Sequence, residues 1–435
     1  MKMFIQKYLK NQARKIVERQ QPKIIAITGS VGKTSTRNAI AALLGTHFAV
    51  RTNIKNYNNE FGVPLTIIGA TSPGRSVFGW LKILVRAWKL ASKRQTDYPN
   101  LLVLEYGADK PGDIKYLCEI AKPDIAVLTA ISPAHLENFG TMEKLIEEKG
   151  SLLRFVKEGG KIVVNADDTK VMELASRTHA PAKSFGISAP ADVHATDIHL
   201  ETREDFSFEP GEVFSTLTFD IEAHEEKETV AMTNRLGRGP IASVLSAMAV
   251  GQSLGLHLSQ MKHLVEKISS EPGRMHPIAG IKGSLLLDDS YNAAPAAMVA
   301  ALEVLKQFRV VESARRIAVL GAMAELGPLT QDEHRLLGLR VAEGGVDLLV
   351  CVGEAAQDIC KGAIEAGMSE DHIQFFPNAK EAGRWLDREV RKGDVLLIKG
   401  SQSTRMEWVV KDLMAEPLQA SQLLVRQDSK WLEAS

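Results

Sequence analysis

The sequence predicts an α/β protein of two lobes: a P-loop-type parallel-sheet central domain, then a Rossmann-like C-terminal α/β domain. Three observations predict it. Short apolar runs, "IIAI" (24–27), "LLVLE" (101–105), "IAVLT" (125–129) and "KIVVN" (161–165), alternate with longer amphipathic stretches, the rhythm of a buried parallel sheet. After the polar stretch "SSEPGR" (269–274) the rhythm resumes in "LLLDD" (285–289), "IAVLG" (317–321), "DLLVCVG" (347–353) and "DVLLIKG" (394–400). The first run leads into "TGSVGKTST", which turns on two glycines and presents a lysine and hydroxyls where a helix begins.

Taken in order, residues 1–23 place Phe4, Ile5, Tyr8, Leu9, Ala13, Ile16 and Val17 at helical spacing among basic residues. They read as a basic helix and not as a signal peptide, which needs a continuous apolar core and a small-residue cleavage site. Residues 24–270 form the central domain. It carries a basic helical insertion at about 75–94 and a small antiparallel section at about 183–233, where alternation such as "STLTFDIEA" sets in. Residues 271–415 form the C-terminal domain, and 416–435 a helix or loose tail.

At 435 residues, 45% hydrophobic and 24% charged, the chain can bury two such cores without staples. Cys118, Cys351 and Cys360 lie far apart without metal-ligand spacing, which argues against a disulfide framework or a zinc site and for a reducing cytosol. No run approaches a membrane span. The net charge is zero but uneven: residues 1–100 hold 17 Lys+Arg against Glu18, Glu60 and Asp97, a surplus of 14 balanced by the remainder. That end suits an anionic partner or surface.

Gly29, Ser30, Val31, Gly32, Lys33, Thr34 and Ser35 make a phosphate cradle: backbone N–H groups approach the phosphates, Lys33 neutralises them and Thr34 can ligate Mg²⁺. Its spacing is compact, with Gly29 three residues before Gly32. Glu105 ends a strand on the edge where parallel sheets bind ligands, either beside the metal or simply as a strand end. His135 follows another strand on that edge, as a ligand or a packing residue. Lys149 occupies the apolar stripe Leu145, Ile146, Leu152, Leu153, Val156. Either its stem passes the core to solvent, or its amine is desolvated, neutral and able to form a carbamate with CO₂.

These residues, in this order, resemble the Mur ligase family, ATP-dependent enzymes that join amino acids or dipeptides to a peptidoglycan precursor. The segments "NYNNEFGVPLT", "LEYGADKPGDI", "AHLENFG", "EEKGSLL", "NADD", "EPGR", "DDSYNAAP", "LGAMAELG" and "IKGSQSTRME" carry the resemblance across about residues 24–410. "NNEFGVPLT" with "DDSYNAAP" points to the branch that adds D-alanyl-D-alanine.

The resemblance implies ATP and two Mg²⁺ ions, a small-molecule cell-wall precursor as acceptor and D-alanyl-D-alanine as incoming amine; a cytoplasmic monomer is expected, and nucleic-acid binding has only the basic N-terminal region in its favour, without an aromatic stacking platform. It assigns Lys33 and Thr34 to the ATP phosphates and Mg²⁺, Glu105 to the first metal, and His135 with carbamylated Lys149 to the second. Arg274 would reach the γ-phosphate, Asp289 the ribose with Asn292 beside it, and Asn58, Asn59 and Lys399 the substrates. An acyl phosphate formed on the acceptor carboxylate would then be attacked by the amine. A folylpolyglutamate-synthetase-like ligase and a P-loop NTPase switch are the alternatives.

Several features depart from the family pattern. Only 23 residues precede the first strand, too few for the family's N-terminal uridine-nucleotide domain. Gly239 and Pro240 stand where relatives generally have a His-Asn pair near adenine, and Ala322 and Gln402 replace an Asp and an Arg common in the branch. In the 75–94 insertion, Lys82, Arg86, Lys89 and Lys93 share one helix face, and Trp80, Leu84, Trp88 and Ala91 another. This basic helix suits a membrane surface or an anionic substrate; otherwise it is a surface helix packed by its tryptophans.

Overall fold

The computed structural model describes residues 2–54, 57–133, 136–268, 271–311 and 313–433. Two sheets organise it. The first comprises β1 (Lys23–Thr28), β2 (Val50–Thr52), β3 (Leu101–Glu105), β4 (Ile125–Leu128), β5 (Lys161–Asn165), β6 (Ala182–Gly186), β7 (Val193–Thr202), β8 (Ser215–Ala223) and β9 (Glu226–Thr233), in the order β2-β3-β1-β4-β5-β6-β7-β8-β9. Every pairing from β2 to β7 is parallel, and β7, β8 and β9 pair antiparallel. The alternating section expected at 183–233 is therefore a continuation of the main sheet, and its first strand, β6, is still parallel.

The second sheet comprises β10 (His276–Ala279), β11 (Leu285–Asp289), β12 (Arg316–Gly321), β13 (Leu348–Val352), β14 (Ile373–Phe376) and β15 (Val395–Lys399), in the order β10-β11-β15-β12-β13-β14. Only β10 runs antiparallel, against β11. The apolar runs are buried along almost their whole length because helices cover both faces of each sheet.

Four helices of the first lobe matter below: α1 (Lys2–Gln20), α2 (Lys33–Leu44), α3 (Gly62–Ile68) and α4 (Val77–Ser92). Helix α1 buries Leu9, Ala13 and Ile16 in the core shared with β1 and β3. In α4 the buried side is Ile83 and Ala87, and Trp88 is 60% exposed. The expected tryptophan packing therefore holds for Trp80 alone, which is partly buried against the core.

The final segment is not loose. Short helical turns at Pro417–Gln419, Ala420–Leu423 and Ser429–Leu432 fold it against the second lobe. Arg426 forms an ion pair with the fully buried Glu407 (3.0 Å), which Arg405 also holds. Composition alone did not show this anchor, because Arg426 and Glu407 are ordinary charged residues 19 positions apart, with nothing in their spacing to pair them.

Candidate active site

The site grows from strand order. Because β1 lies between β3 and β4, the loop leaving β1 opens at the point where the chain's crossovers diverge, the natural ligand crevice of an open parallel sheet. Gly29 there has φ +149°, and a Cβ on it would fall 2.1 Å from the Thr129 hydroxyl oxygen, so only glycine lets the loop lie this close to β4's end. Gly32, at φ +83°, turns the chain into α2, whose first residues are Lys33 and Thr34. Helix α2 thus aims its N-terminal N–H groups into the crevice.

The pairing of Ile27 with Glu105 brings the end of β3 beside this loop. Thr34 Oγ1 donates to Glu105 Oε2 at 3.0 Å, and Asn58 Nδ2 donates to Glu105 Oε1 at 3.0 Å. Arg37 Nη1 lies 3.4 Å from the same carboxylate. Glu105 is 4% exposed, so these contacts replace lost hydration. Asn59 has a different place: its carboxamide oxygen accepts from Phe61 N–H (3.2 Å) and Gly62 N–H (3.0 Å), fixing the start of α3.

Lys33 folds back on its own loop, donating to the carbonyls of Gly29 (2.8 Å) and Ser30 (3.1 Å). Desolvation pushes its pKa below the ordinary lysine value; Glu105 opposes that shift and Arg274 adds to it. Lys149, on the helix Met142–Arg154, is 1% exposed, as the stripe predicted. Burial first, and repulsion from Lys33 second, push its pKa down to about 7. Asp109 offsets part of the shift at both lysines, a role no pattern around "GADKPG" signalled. His135, the other expected metal ligand, lies outside the described residues.

Residues of the second lobe complete the crevice. Asp289 ends β11 in register with Lys399 at the end of β15, and the two form an ion pair at 2.7 Å. Asp289 Oδ1 also accepts from Met275 N–H at 3.1 Å, and Lys399 Nζ donates to the Asn292 carbonyl at 2.9 Å. Lys399, 3% exposed, therefore sits beneath the "DDSYNAAP" loop and holds it up. The fully buried Asp288 accepts from Gly273 N–H and Ser290 N–H, both at 3.1 Å, so the linker is tied to the same loop. Burial raises the Asp288 pKa to about 6.

Arg274 lies over the Tyr291 ring at 4.2 Å and pairs with Glu271 at 2.6 Å, and Glu271 in turn accepts from Asn38 of α2. Neither Tyr291 nor Glu271 was singled out by sequence, since no spacing distinguishes them from ordinary loop residues. A second contact between lobes is Glu137 N–H donating to the Glu325 carbonyl at 3.2 Å. Between the lobes is a cleft of about 950 Å³, bordered by Ser30, Gly32, Arg274, Asp289 and Asn292. Phe185, Met232, Leu236 and Pro240 give it an apolar wall, and Gly239 and Gln402 also line it. Ala322 packs partly buried on the second lobe's core.

The C-terminal segment reaches this cleft through Trp431, and Arg426 donates to the carbonyls of Ser290 (3.1 Å) and Tyr291. Arg426→Ala is expected to cost about 2–4 kcal/mol in urea unfolding, because buried Glu407 loses one of two cationic partners. It should also weaken ADP binding about tenfold by calorimetry, as the Asp289 loop loses its brace. Unchanged stability and ADP affinity would show that the segment is only appended.

Comparison with known proteins places the chain among related sequences. A model described as Mur ligase middle domain matches residues 87–251, and one described as Mur ligase, glutamate ligase domain matches residues 273–402. The UDP-N-acetylmuramoyl-tripeptide–D-alanyl-D-alanine ligase of Mycobacterium tuberculosis (strain ATCC 25618 / H37Rv) is 31% identical over 412 residues, 90% of this chain and 73% of that relative. The Bacillus subtilis (strain 168) protein of the same name is 26% identical over 94% of this chain and 80% of its own length. Among solved structures, MurF from Acinetobacter baumannii has a TM-score of 0.75 at 26% identity, covering 93% of this chain and 79% of that one. MurF ligase from Thermotoga maritima in complex with ADP has a TM-score of 0.73 at 27% identity, covering 94% and 83%.

Proposed function

The chain belongs to the Mur ligase family, and from that premise we propose that it is the ATP-dependent ligase that joins D-alanyl-D-alanine to a UDP-N-acetylmuramoyl-tripeptide in peptidoglycan precursor synthesis. One observation carries the reading: the phosphate loop of the first lobe and the Arg274 and Asp289 elements of the second face a single cleft. A nucleotide switch needs no second lobe at its phosphates, whereas a ligase must bring ATP, acceptor and amine together and exclude water. The ADP complex of the Thermotoga relative supports nucleotide use.

In this reading the acceptor carboxylate oxygen bonds to the γ-phosphorus as the bond to ADP breaks. The dipeptide amine then bonds to the acyl carbon, phosphate departs from the tetrahedral adduct, and the amine proton leaves to solvent. Lys33 transfers from its own loop carbonyls to the phosphates, and Arg274, oriented by Tyr291 and Glu271, adds charge at their outer end. Asp289 takes the ribose, and the apolar wall takes adenine in place of side-chain hydrogen bonds from Gly239 and Pro240. In this reading Asn58, beside Glu105, takes the acceptor side, and Asn59 holds the loop that carries it.

Mg²⁺ suits this chain. Thr34 and Glu105 are oxygen donors 3.0 Å apart, and among the described residues no group of three or more His, Cys, Asp or Glu is placed to hold a metal. Such sparse protein ligation fits an ion held largely by phosphates and water. When bound, Mg²⁺ stabilises charge on the transferring phosphate. Lys149 supports a second site: its amine, with a pKa of about 7, can add CO₂ and lose a proton, becoming an anionic carbamate to act with His135.

The test is phosphate release from ATP with UDP-N-acetylmuramoyl-tripeptide, with and without D-alanyl-D-alanine. Release should require both and be matched by formation of the peptide bond. Hydrolysis indifferent to the acceptor and amine would leave a nucleotide switch.

A further inference from the structure

Five large apolar side chains of α4 stand in solvent: Val77 (79% exposed), Phe78 (80%), Leu81 (56%), Val85 (44%) and Trp88 (60%). Their spacing of one, three, four and three residues makes one continuous stripe along the helix. A contiguous apolar surface on a folded domain marks a site that something else covers.

The stripe is presented by an anchored element. Ile83 and Ala87 are buried beneath it, and the Ser76 hydroxyl accepts from Gly79 N–H at 3.1 Å. Arg86 Nε donates to the Ile68 carbonyl at 2.9 Å, and Gln20 of α1 donates to the carbonyls of Leu90 (2.6 Å) and Lys93 (2.8 Å).

Charge narrows the occupant. Exposed Lys82, Lys89 and Lys93 run along one flank of the stripe, and from residue 61 to 96 the chain has six basic residues and no acidic one. Behind that flank a cavity of about 580 Å³ is bordered by Arg51, Lys82, Arg86, Thr52 and Thr71, with no carboxylate among the described residues of its wall. The Thr52 hydroxyl there is buried without a hydrogen-bond partner among the described residues. The recess is thus lined by cations and hydroxyls, beside a surface that repels cations.

We propose that α4 is a docking surface for an anionic phospholipid bilayer, with Phe78, Leu81, Val85 and Trp88 inserted at the headgroup boundary and the lysine flank on lipid phosphates. A second copy of this chain would set lysines against lysines. An acidic protein would match the charges but would also need an apolar face shaped to this stripe, which a bilayer supplies without any such match. An anionic membrane surface satisfies both features, since interfacial helices combine an inserted apolar face with cations at headgroup level. Among the described residues no helix is long and apolar enough to cross a membrane, so the contact is peripheral.

The inference does not depend on the ligase reading, and its test needs no substrate. The full chain is floated with vesicles of phosphatidylcholine alone and with vesicles that also contain phosphatidylglycerol. Binding should be at least about tenfold stronger to the mixed vesicles and fall as salt rises. The K82Q/K89Q/K93Q variant should lose the anionic preference, and F78S/W88S should bind weakly to both vesicles with wild-type melting temperature and phosphate release. Equal binding of the wild-type chain to both vesicles, or none to either, would overturn the proposal. So would a dimer in solution that F78S/W88S converts to monomer while vesicle binding stays absent. A rise in acceptor KM in the lysine variant without any lipid binding would assign the flank to a soluble substrate instead.

Discussion

Replacing Lys33 with alanine should lower kcat by roughly 10²–10³-fold, the range seen when one preorganised electrostatic donor is removed from a reacting centre. The magnitude follows from placement. The ammonium is desolvated, sits against the Gly29 and Ser30 carbonyls, and is repelled by Arg274. In the proposed reading bound phosphates relieve that repulsion and draw the ammonium off the loop carbonyls to where negative charge develops. ADP affinity should fall far less than kcat, because the loop N–H groups and the second lobe still hold the nucleotide. Single-turnover phosphate release and ADP calorimetry separate the two, and a variant with near-normal turnover would remove Lys33 from the chemistry.

Lys149 should show opposite effects on stability and activity. An ammonium at 1% exposure is costly to bury, so Lys149→Met is expected to stabilise the fold by roughly 1–4 kcal/mol near neutral pH. The sign with pH follows from a folded pKa of about 7 against an ordinary value of 10.5. Below pH 7 both states of the wild-type chain carry the proton and the burial cost is full. Between 7 and 10.5 only the unfolded chain binds it, so wild-type stability from this group rises and the gain from methionine shrinks. Urea unfolding in CO₂-free buffer across that interval checks it, and a gain that grew with pH would contradict it. Activity should be abolished in Lys149→Ala and partly restored by short-chain carboxylates, which replace a carbamate; full activity in the variant would exclude that role.

Much of the site was legible because its parts are local. The turn of Gly29 and Gly32 into Lys33 and Thr34 is a property of adjacent backbone, and the inward side of Lys149 follows from helical period alone. Glu105 was read as a strand end on the ligand edge and, with Thr34, as a candidate for the metal, but its contact with Asn58 was not legible, since it depends on which segments become neighbours. Lys399 was read as a substrate contact, and the fold puts it on the cleft wall, where it also supports the Asp289 loop. Pattern could not separate these roles, because a lysine at a strand's end serves either.

By itself the sequence determined two α/β lobes, a phosphate loop between strand and helix, and a lysine on an apolar stripe. These rest on short-range sterics and on the 2.0 and 3.6 residue periods, which operate within a dozen residues. Only the tertiary structure decided that the linker and "DDSYNAAP" loop meet α2 through Glu271 and Asn38, that the last residues brace that loop through Arg426, and that α4 buries Ile83 and Ala87 while leaving Phe78 and Trp88 in solvent. Each of those outcomes is a competition among distant segments for the same buried surface and the same charges. A helix apolar on more than one side carries no local mark of which side wins, and the packing of α1 and α3 against it made that choice.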